Sequence, residues 1–322
     1  MSDRAILIAT HNGGPGFAPA MDILRAGGSA LDAVEAATVA VEDNVADTSV
    51  GTGGLPNLLG QVELDALIMD GETLNVGAVG ALQGYPNPIR VARQVMTRLP
   101  HDLLVGEGAA RFAAECGFAQ AELLTEESHR IWQARLASEG AYFDKMREMV
   151  QQMASDPWLA ADRYNGGRSV TGTVNFVARD RAGRLAVAVS TSGWAWKYPG
   201  RVGDSALVGA GGYADSRYGA AACTGRGESA MRSASAHSVV LYIKMGLPLW
   251  NACRDAIHDL YHQVDDYASG LHIVALDAAG QHAGFTTRVG MRYLMQRTDM
   301  DDPAQLPMTA VDAQGKAELR PA

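Results

Sequence analysis

The sequence predicts a layered α+β domain in which two β-sheets are covered by helices. The first observation is that helical and strand patterns occur in separate blocks in each half of the chain, as is typical of sheets packed under helices. The second is that 36 of the 322 residues are glycine without any repeating period, which indicates many tight turns. This length allows one large domain or two ordinary ones, and either would bury a substantial core.

The first half contains a predicted helix, a strand and two further helices. Ser29 is a suitable N-cap and Asp32 lies in the first turn, where the helix dipole favours a carboxylate, so a helix is predicted to run to about Glu42. Residues 62–70 alternate, then become continuously apolar and end in an Asp-Gly turn, which indicates a strand. Residues 88–98 and 107–116 have helical patterns.

The middle of the chain, residues 120–172, differs from both halves. Its first part is rich in charged residues and is predicted to be helical, and its last part is the glycine-containing stretch 164–168. Taken alone, this composition favours a solvated surface helix followed by a linker.

The second half opens with strands. Residues 173–178 and 184–191 are apolar and rich in β-branched side chains, and the turn between them contains Asp180 and Gly183, so a hairpin is predicted. Helical patterns follow at about 227–245 and 248–264, and the chain is predicted to close with strands at 271–277 and 282–287.

The overall composition excludes several classes of function. The formal net charge of -9 argues against a nucleic-acid or anionic-membrane partner. No segment approaches the ~20 apolar residues of a membrane span, and the N-terminus lacks a signal core, so a cytoplasmic protein is expected. Cys116, Cys223 and Cys253 form no CxxC pair, and His258 with His262 is better explained as a polar helix face than as a metal site. We expect no cofactor and no metal.

The remaining candidates for chemistry are polar residues in glycine turns at predicted strand ends. The chain has no GxSxG elbow, Rossmann glycine spacing or Walker A sequence. Arg201 and Asp204, three residues apart and flanked by glycines, would suit a zwitterion, with the guanidinium on a carboxylate and the aspartate on an ammonium. Thr224 and Gly225, just before a predicted helix, would suit an oxyanion. Each turn alone is more often structural.

Taken together, these segments strongly resemble one known family, the glycosylasparaginases, plant-type asparaginases and isoaspartyl peptidases. In the second half the resemblance is carried by residues 172–178, 190–193, 199–205, 209–214 and 223–228. In the first half it is carried by residues 27–34, 49–54, 64–71 and 76–80. It covers nearly the whole chain except residues 121–170 and the C-terminal end.

The resemblance implies an N-terminal nucleophile (Ntn) hydrolase with a four-layer αββα sandwich. The chain would cleave itself between Gly172 and Thr173, giving an α-subunit region 1–172, with 120–172 as its linker, and a β-subunit region 173–322, together one domain. Thr173 would be the nucleophile. Its freed α-amine, with a reference pKa of roughly 7.7–8.0, would be the base. The assembly expected is a dimer of cleaved αβ units.

The same resemblance assigns the other site residues by position. Thr191 would hydrogen-bond the nucleophile and its amine, and Thr224 with Gly225 would stabilise the oxyanion. The partner would be a small-molecule substrate with free α-amino and α-carboxylate groups, bound by the residues Arg201, Asp204, Thr224, Gly225 and Gly227.

The leaving group stays open at the level of sequence. Residues 49–57 and 64–71 are closer to glycosylasparaginases, which favours N4-(β-N-acetylglucosaminyl)-L-asparagine as substrate. Gly172 instead matches plant-type asparaginases, since glycosylasparaginases usually have aspartate there, and residues 10–14 lack their tryptophan. His11, Asn12 and Phe17 are expected near the pocket mouth, as leaving-group contacts or as loop structure. The alternatives are an L-asparaginase or isoaspartyl peptidase, and an uncleaved, catalytically silent binding protein.

Overall fold

The computed structural model describes residues 4–136, 172–264 and 270–318. Within these ranges the chain forms fourteen strands and eight α-helices. The strands are β1 (Ile6–Thr10), β2 (Leu64–Asp70), β3 (Val76–Leu82), β4 (Leu103–Val105), β5 (Val174–Arg179), β6 (Leu185–Thr191), β7 (Gly212–Asp215), β8 (Gly219–Gly225), β9 (Leu271–Asp277), β10 (His282–Thr286), β11 (Arg292–Arg297), β12 (Ala304–Pro307), β13 (Thr309–Val311) and β14 (Ala317–Glu318). The helices are α1 (Phe17–Arg25), α2 (Ala30–Glu42), α3 (Pro88–Arg98), α4 (Gly106–Glu115), α5 (Glu126–Leu136), α6 (Gly227–Ser233), α7 (Ser235–Lys244) and α8 (Leu249–His258).

The strands form two sheets. The first has eight strands in the order β12-β11-β1-β5-β6-β2-β3-β4, and the second has six in the order β14-β13-β10-β9-β8-β7. Only the β3–β4 and β10–β13 pairs are parallel among the described strand pairs. Helices and mixed sheets together confirm the predicted α+β class.

Three hydrophobic clusters hold these elements together. The first packs α1 to α4 on one face of the eight-stranded sheet, the second lies between the two sheets, and the third packs α7 and α8 on the six-stranded sheet. Neighbouring residues of β5 point into different clusters: Phe176 into the first and Val177 into the second. Both faces of this strand are therefore buried, which explains its nearly continuous apolar sequence.

Most of the predicted elements are confirmed. The helix α2 runs to Glu42, and the Ser29 hydroxyl accepts a hydrogen bond from the Asp32 amide as an N-cap. The predicted hairpin is the antiparallel pair β5–β6. The predicted helix in the middle segment is present as α5, while the rest of that segment, residues 137–171, lies outside the described residues.

Two predictions of extent are wrong. The single helix expected over 227–245 is two helices, α6 and α7, separated at Ala234, whose backbone is left-handed with φ 45°. The first amides of α7 bond instead to the loop before β7, with His237 N–H donating to the Gly209 carbonyl at 2.8 Å. The chain also continues past 287 with β11 to β14, and β11 pairs with β1. Both differences arise from contacts distant in sequence.

No helix in the described part of the chain is long and apolar enough to cross a membrane.

Glu42, at the end of α2, is fully buried between the helix layer and the eight-stranded sheet. Its Oε1 accepts from the Ser190 hydroxyl at 2.7 Å and from the Ile89 amide at 3.2 Å. Burial raises the pKa of this carboxyl from 4.5 to about 8. The folded protein therefore keeps a proton on Glu42 that the unfolded chain has already lost at neutral pH.

Replacing Glu42 with Gln is expected to reduce the pH dependence of stability. Because the folded pKa lies above the unfolded pKa, stability falls as pH rises from 4.5 to about 8, by at most about 1.4 kcal/mol per pH unit. We expect the difference between the unfolding temperatures at pH 5 and pH 8 to be smaller in Glu42→Gln than in the wild type. Glu115→Gln, in the exposed Arg111–Glu115 pair, is the control. An unchanged difference in Glu42→Gln would show that the buried carboxyl is not protonated.

Candidate active site

A cleft lies where the ends of β5 and β6 in one sheet approach the end of β8 in the other. It is lined by residues of four glycine-containing segments, three at these strand ends and one in the loop that follows β6. They are Gly172, Thr173, Thr191, Gly193, Trp194, Arg201, Asp204, Gly225, Arg226, Gly227 and Glu228. The structure therefore brings together every predicted site residue except Thr224, which precedes Gly225 in β8 and does not line the cleft.

Thr173 and Thr191 face each other because of the strand register. Val174 pairs with Ser190 in the antiparallel β5–β6 pair, so the residue before β5 lies beside the last residue of β6. The Thr191 hydroxyl donates to the Gly172 carbonyl at 2.6 Å and accepts from the Gly193 amide at 2.9 Å. This hydroxyl thus polarises the carbonyl of the peptide bond that precedes Thr173.

Gly172 is required at its position by a close approach of Ser49. A Cβ placed on Gly172 would lie 2.1 Å from the Ser49 Oγ and 2.3 Å from its Cβ. Ser49 is held in place, because its hydroxyl donates to Asp47 Oδ1 at 2.5 Å and its carbonyl accepts from the Ser192 amide at 2.8 Å. The aspartate common at this position in glycosylasparaginases would not fit beside Ser49 without movement of the chain.

Thr224 is connected to the strand of Thr173 through Asn175. The Asn175 side-chain amide donates to the Thr224 hydroxyl at 2.7 Å and to the Cys223 carbonyl at 3.2 Å. A hydroxyl that accepts one hydrogen bond keeps its own proton for another acceptor. Gly225 follows with φ 125°, and a Cβ there would lie 2.3 Å from the Gly270 carbonyl oxygen, so no other residue fits.

Arg201 forms an ion pair with Glu228, a residue that the sequence did not single out. Its Nε and Nη2 lie 3.2 and 3.0 Å from Glu228 Oε1. The second oxygen of Glu228 lies 2.9 Å from Nη1 of Arg226, whose guanidinium stacks at 4.4 Å from the centre of the Trp194 ring. Two guanidinium groups thus share one carboxylate, and both can attract an anion that enters the cleft.

Asp204 is buried beside this cluster without a partner for one of its oxygens. Its Oδ2 has no hydrogen-bond donor among the described residues, and the structure gives no Arg201–Asp204 ion pair within 4.0 Å in the same ranges. Burial raises the pKa of this carboxyl from 3.8 to about 7, although nearby Arg201 opposes the shift. A buried carboxylate with a free oxygen is a suitable partner for an ammonium group.

Gly227 keeps the space between these two residues open. A Cβ on Gly227 would lie 2.6 Å from Asp204 Oδ1 and 3.0 Å from Arg201 Nη2. The hollow is thus bordered by a carboxylate on one side and a guanidinium on the other. These two charges are opposite in sign, as are the two α-groups of an amino acid.

Asp65 fixes the loop that carries both charged residues, and sequence reasoning did not assign it to the site. One of its oxygens accepts from the Gly203 amide at 2.8 Å and the other from the Ala81 amide at 2.8 Å. The only signal for Asp65 is a carboxylate between apolar residues of β2, whose other carboxylate, Asp70, ends the strand. Asn175, a single amide in the apolar strand β5, gives a signal of the same kind.

His11 and Asn12 do not line this cleft, and their contact with a leaving group stays a prediction. His11 and Asn12 line a second cleft on the other side of Gly172, where the Asn12 amide donates to Asp47 Oδ2 at 2.9 Å. The expectation for Phe17 is wrong. This residue begins α1 and is buried in the first hydrophobic cluster, with its ring centre 6.3 Å from that of Phe176.

The paired histidines of the second half lie away from this cleft. His258 and His262 pack against each other with ring centres 5.6 Å apart, and His258 Nε2 contacts the Ala313 carbonyl. In the described ranges, no three His, Cys, Asp or Glu side chains are grouped as metal ligands.

The sequence is similar to proteins of known activity along most of its length. A family model described as asparaginase matches residues 17–304. An N(4)-(β-N-acetylglucosaminyl)-L-asparaginase of Elizabethkingia miricola is 35% identical over 298 residues, 91% of this chain and 81% of the relative. An isoaspartyl peptidase/L-asparaginase of Bos taurus is 37% identical over 84% of this chain and 80% of the relative. A plant-type L-asparaginase of Thermococcus kodakarensis is 37% identical over 86% of both chains.

Proposed function

This chain belongs to the asparaginase family, and on that premise we propose that it is a self-cleaving threonine amidohydrolase that hydrolyses the side-chain amide of asparagine-type substrates and releases aspartate. One observation carries the proposal. The pair Thr173–Thr191 lies in the same cleft as the Arg201–Asp204 hollow, so a threonine hydroxyl and a zwitterion site share one wall.

The first step is cleavage of the chain between Gly172 and Thr173. The Thr173 hydroxyl oxygen would attack the Gly172 carbonyl carbon, and the amide nitrogen would take up the hydroxyl proton and leave as the α-amine of Thr173. The hydrogen bond from Thr191 to that carbonyl supports this step, because it withdraws electron density from the carbon under attack. Water would then hydrolyse the ester, leaving regions 1–172 and 173–322 as two subunits of one domain.

In the mature enzyme Thr173 would act on the substrate in the same way. Its α-amine, with a reference pKa of roughly 7.7–8.0, would accept the hydroxyl proton and pass it to the departing nitrogen. The Thr224 hydroxyl and the Gly225 amide would stabilise the oxyanion, and Thr191 would turn to the nucleophile. Water would then hydrolyse the aspartyl ester and regenerate Thr173.

The substrate's α-groups would occupy the hollow next to Gly227. Its carboxylate would bind the guanidinium of Arg201, and its ammonium would bind the free oxygen of Asp204. These contacts fix which carbonyl reaches Thr173. The finer fold assignment in this proposal is the four-layer αββα sandwich of Ntn hydrolases, which the three hydrophobic clusters support. The assembly proposed is a dimer of cleaved αβ units.

We assign the leaving group first to a glycosylamine, as in glycosylasparaginases. The second candidate, ammonia or an amino acid from L-asparagine or a β-aspartyl peptide, is favoured by Gly172 and by its close contact with Ser49. Aspartate release from asparagine, β-aspartyl dipeptides and glucosaminyl-asparagine, measured side by side, separates the two. A protein that releases aspartate from none of them and stays uncleaved would instead be a silent binding protein.

Thr173→Ala is expected to abolish both self-cleavage and turnover, because it removes the proposed nucleophile. Intact-mass analysis of the wild type should show fragments 1–172 and 173–322, and Thr173→Ala should stay a single chain. Thr173→Ser keeps a hydroxyl and should retain part of both activities, while Thr97→Ala, on the exposed face of α3, should match the wild type. Near-normal turnover by Thr173→Ala would rule out this mechanism.

Gly172→Ala is expected to slow self-cleavage, because its methyl group would collide with Ser49. Adding Ser49→Gly to the same chain should restore part of the rate, since it removes both contacting atoms. Gly14→Ala, where a Cβ would meet no atom within 4 Å, is the matched control. The rate is read as the fraction of cleaved chain against time on denaturing gels. Equal rates in Gly172→Ala and wild type would contradict the steric account.

Asp204 is expected to make substrate binding pH dependent. The carboxylate form binds the ammonium and the folded pKa is about 7, so the KM should fall as pH rises from 6 to 8. Asp204→Asn should raise KM, since an unpaired buried charge costs on the order of 2–5 kcal/mol, and should lose this pH dependence. The wild type should process N-acetyl-asparagine poorly. Equal hydrolysis of free and acetylated substrates would show that Asp204 is not the ammonium site.

A further inference from the structure

Lys197 is a buried cation directly beneath the candidate site. Its side chain is 1% exposed, and its Nζ donates to the Glu63 carbonyl at 3.0 Å and to the Ser192 carbonyl at 3.2 Å. Glu63 Oε2 lies 4.0 Å from the same nitrogen. Lys197 does not line the cleft, so it does not touch the substrate itself.

The groups that contact Lys197 are connected both to the turn beside Thr191 and to the loop that carries Arg201 and Asp204. Ser192 directly follows Thr191 in the turn beside the nucleophile. Glu63 Oε1 accepts from the Gly200 amide at 3.0 Å, immediately before Arg201. Asp65 accepts from the Gly203 amide at 2.8 Å, immediately before Asp204. One ammonium therefore connects the nucleophile side to the loop that would hold the substrate.

Lys197 compensates the negative charges of the carboxylates that hold the 200–204 loop. Burial lowers the pKa of Lys197 from its usual 10.5, and the negative charges of Asp65 and Glu63, which are both buried as well, oppose that shift and favour the ammonium form. A Cβ on Gly193 would lie 2.7 Å from Lys197 Nζ and 3.4 Å from Arg201 Nη1, so glycine lets both cations approach the same turn. Removal of the ammonium would leave two buried carboxylates with less compensation.

We propose that Lys197 is a positioning residue for the proposed amidohydrolase reaction, whose ammonium holds the 200–204 loop and the 192–193 turn in one geometry. The inference rests on the proposed function. Its consequence is that Arg201 and Asp204 stay aligned with Thr173. Loss of the ammonium therefore weakens substrate binding more than it changes the catalytic group Thr173.

The first test is Lys197→Ala with chemical rescue. This variant lacks Cγ, Cδ, Cε and Nζ, which are the atoms of propylammonium. We expect its KM for whichever of the three substrates the wild type hydrolyses best to rise about tenfold or more, with a smaller change in kcat, because even a small displacement of the substrate-binding residues is costly. Propylammonium should lower that KM, and tetramethylammonium, which has no N–H to donate, should not. Lys316→Met, in the exposed Lys316–Glu318 pair, should match the wild type.

The second variant, Lys197→Met with Glu63→Gln, removes both charges together and tests the inference if Lys197→Ala does not fold. Without the ammonium its KM should still be raised, although residues 63 and 197 are then both neutral. A wild-type KM in either variant, or a raised KM in Lys197→Ala that propylammonium leaves unchanged, overturns the proposal. Aspartate release by the wild type from asparagine, β-aspartyl dipeptides and glucosaminyl-asparagine is measured first, since its absence from all three counts against the proposed function rather than against Lys197.

Discussion

The Thr191 hydroxyl bonds the Gly172 carbonyl at 2.6 Å, and this contact exists only because β5 and β6 pair in the register that sets Val174 opposite Ser190. A slip of one residue would turn every side chain of β5 to the opposite face. The two buried faces of this strand exclude such a slip, because Phe176 belongs to the helix-facing cluster and Val177 to the cluster between the sheets. The packing of the core therefore determines the position of Thr191 relative to the Gly172 carbonyl at the end of these strands.

The site combines this rigid edge with buried charges whose partners come from distant parts of the chain. Asp65, on β2, bonds the amide before Asp204, and Glu63 bonds the amide before Arg201. Glu228, from α6, holds the guanidinium of Arg201 at the cleft. Burial of polar groups is costly unless they are paired. The unpaired oxygen of Asp204 is therefore the position that a substrate ammonium would complete.

The local parts of the fold could be predicted from the sequence, and the non-local ones could not. The β5–β6 hairpin has its own apolar runs and turn, and α2 has its own N-cap in Ser29, so each carries its signal within a short window. The break at Ala234 depends on the Gly209 carbonyl, and β11 depends on β1, so no short window contains either. The same distinction applies to the site. The glycine turns were visible from the sequence, whereas the partners Glu228 and Lys197 become apparent only when strands distant in sequence lie side by side.

The central claim is that the Thr173 hydroxyl forms a covalent bond to the substrate. The most direct test is peptide mapping by mass spectrometry of the mature enzyme, quenched in acid during turnover of asparagine. The account predicts an aspartyl acyl group on the peptide that begins with Thr173, sensitive to hydroxylamine as an ester is. Active enzyme whose Thr173 peptide is never modified, or which carries the acyl group on another residue, would contradict it.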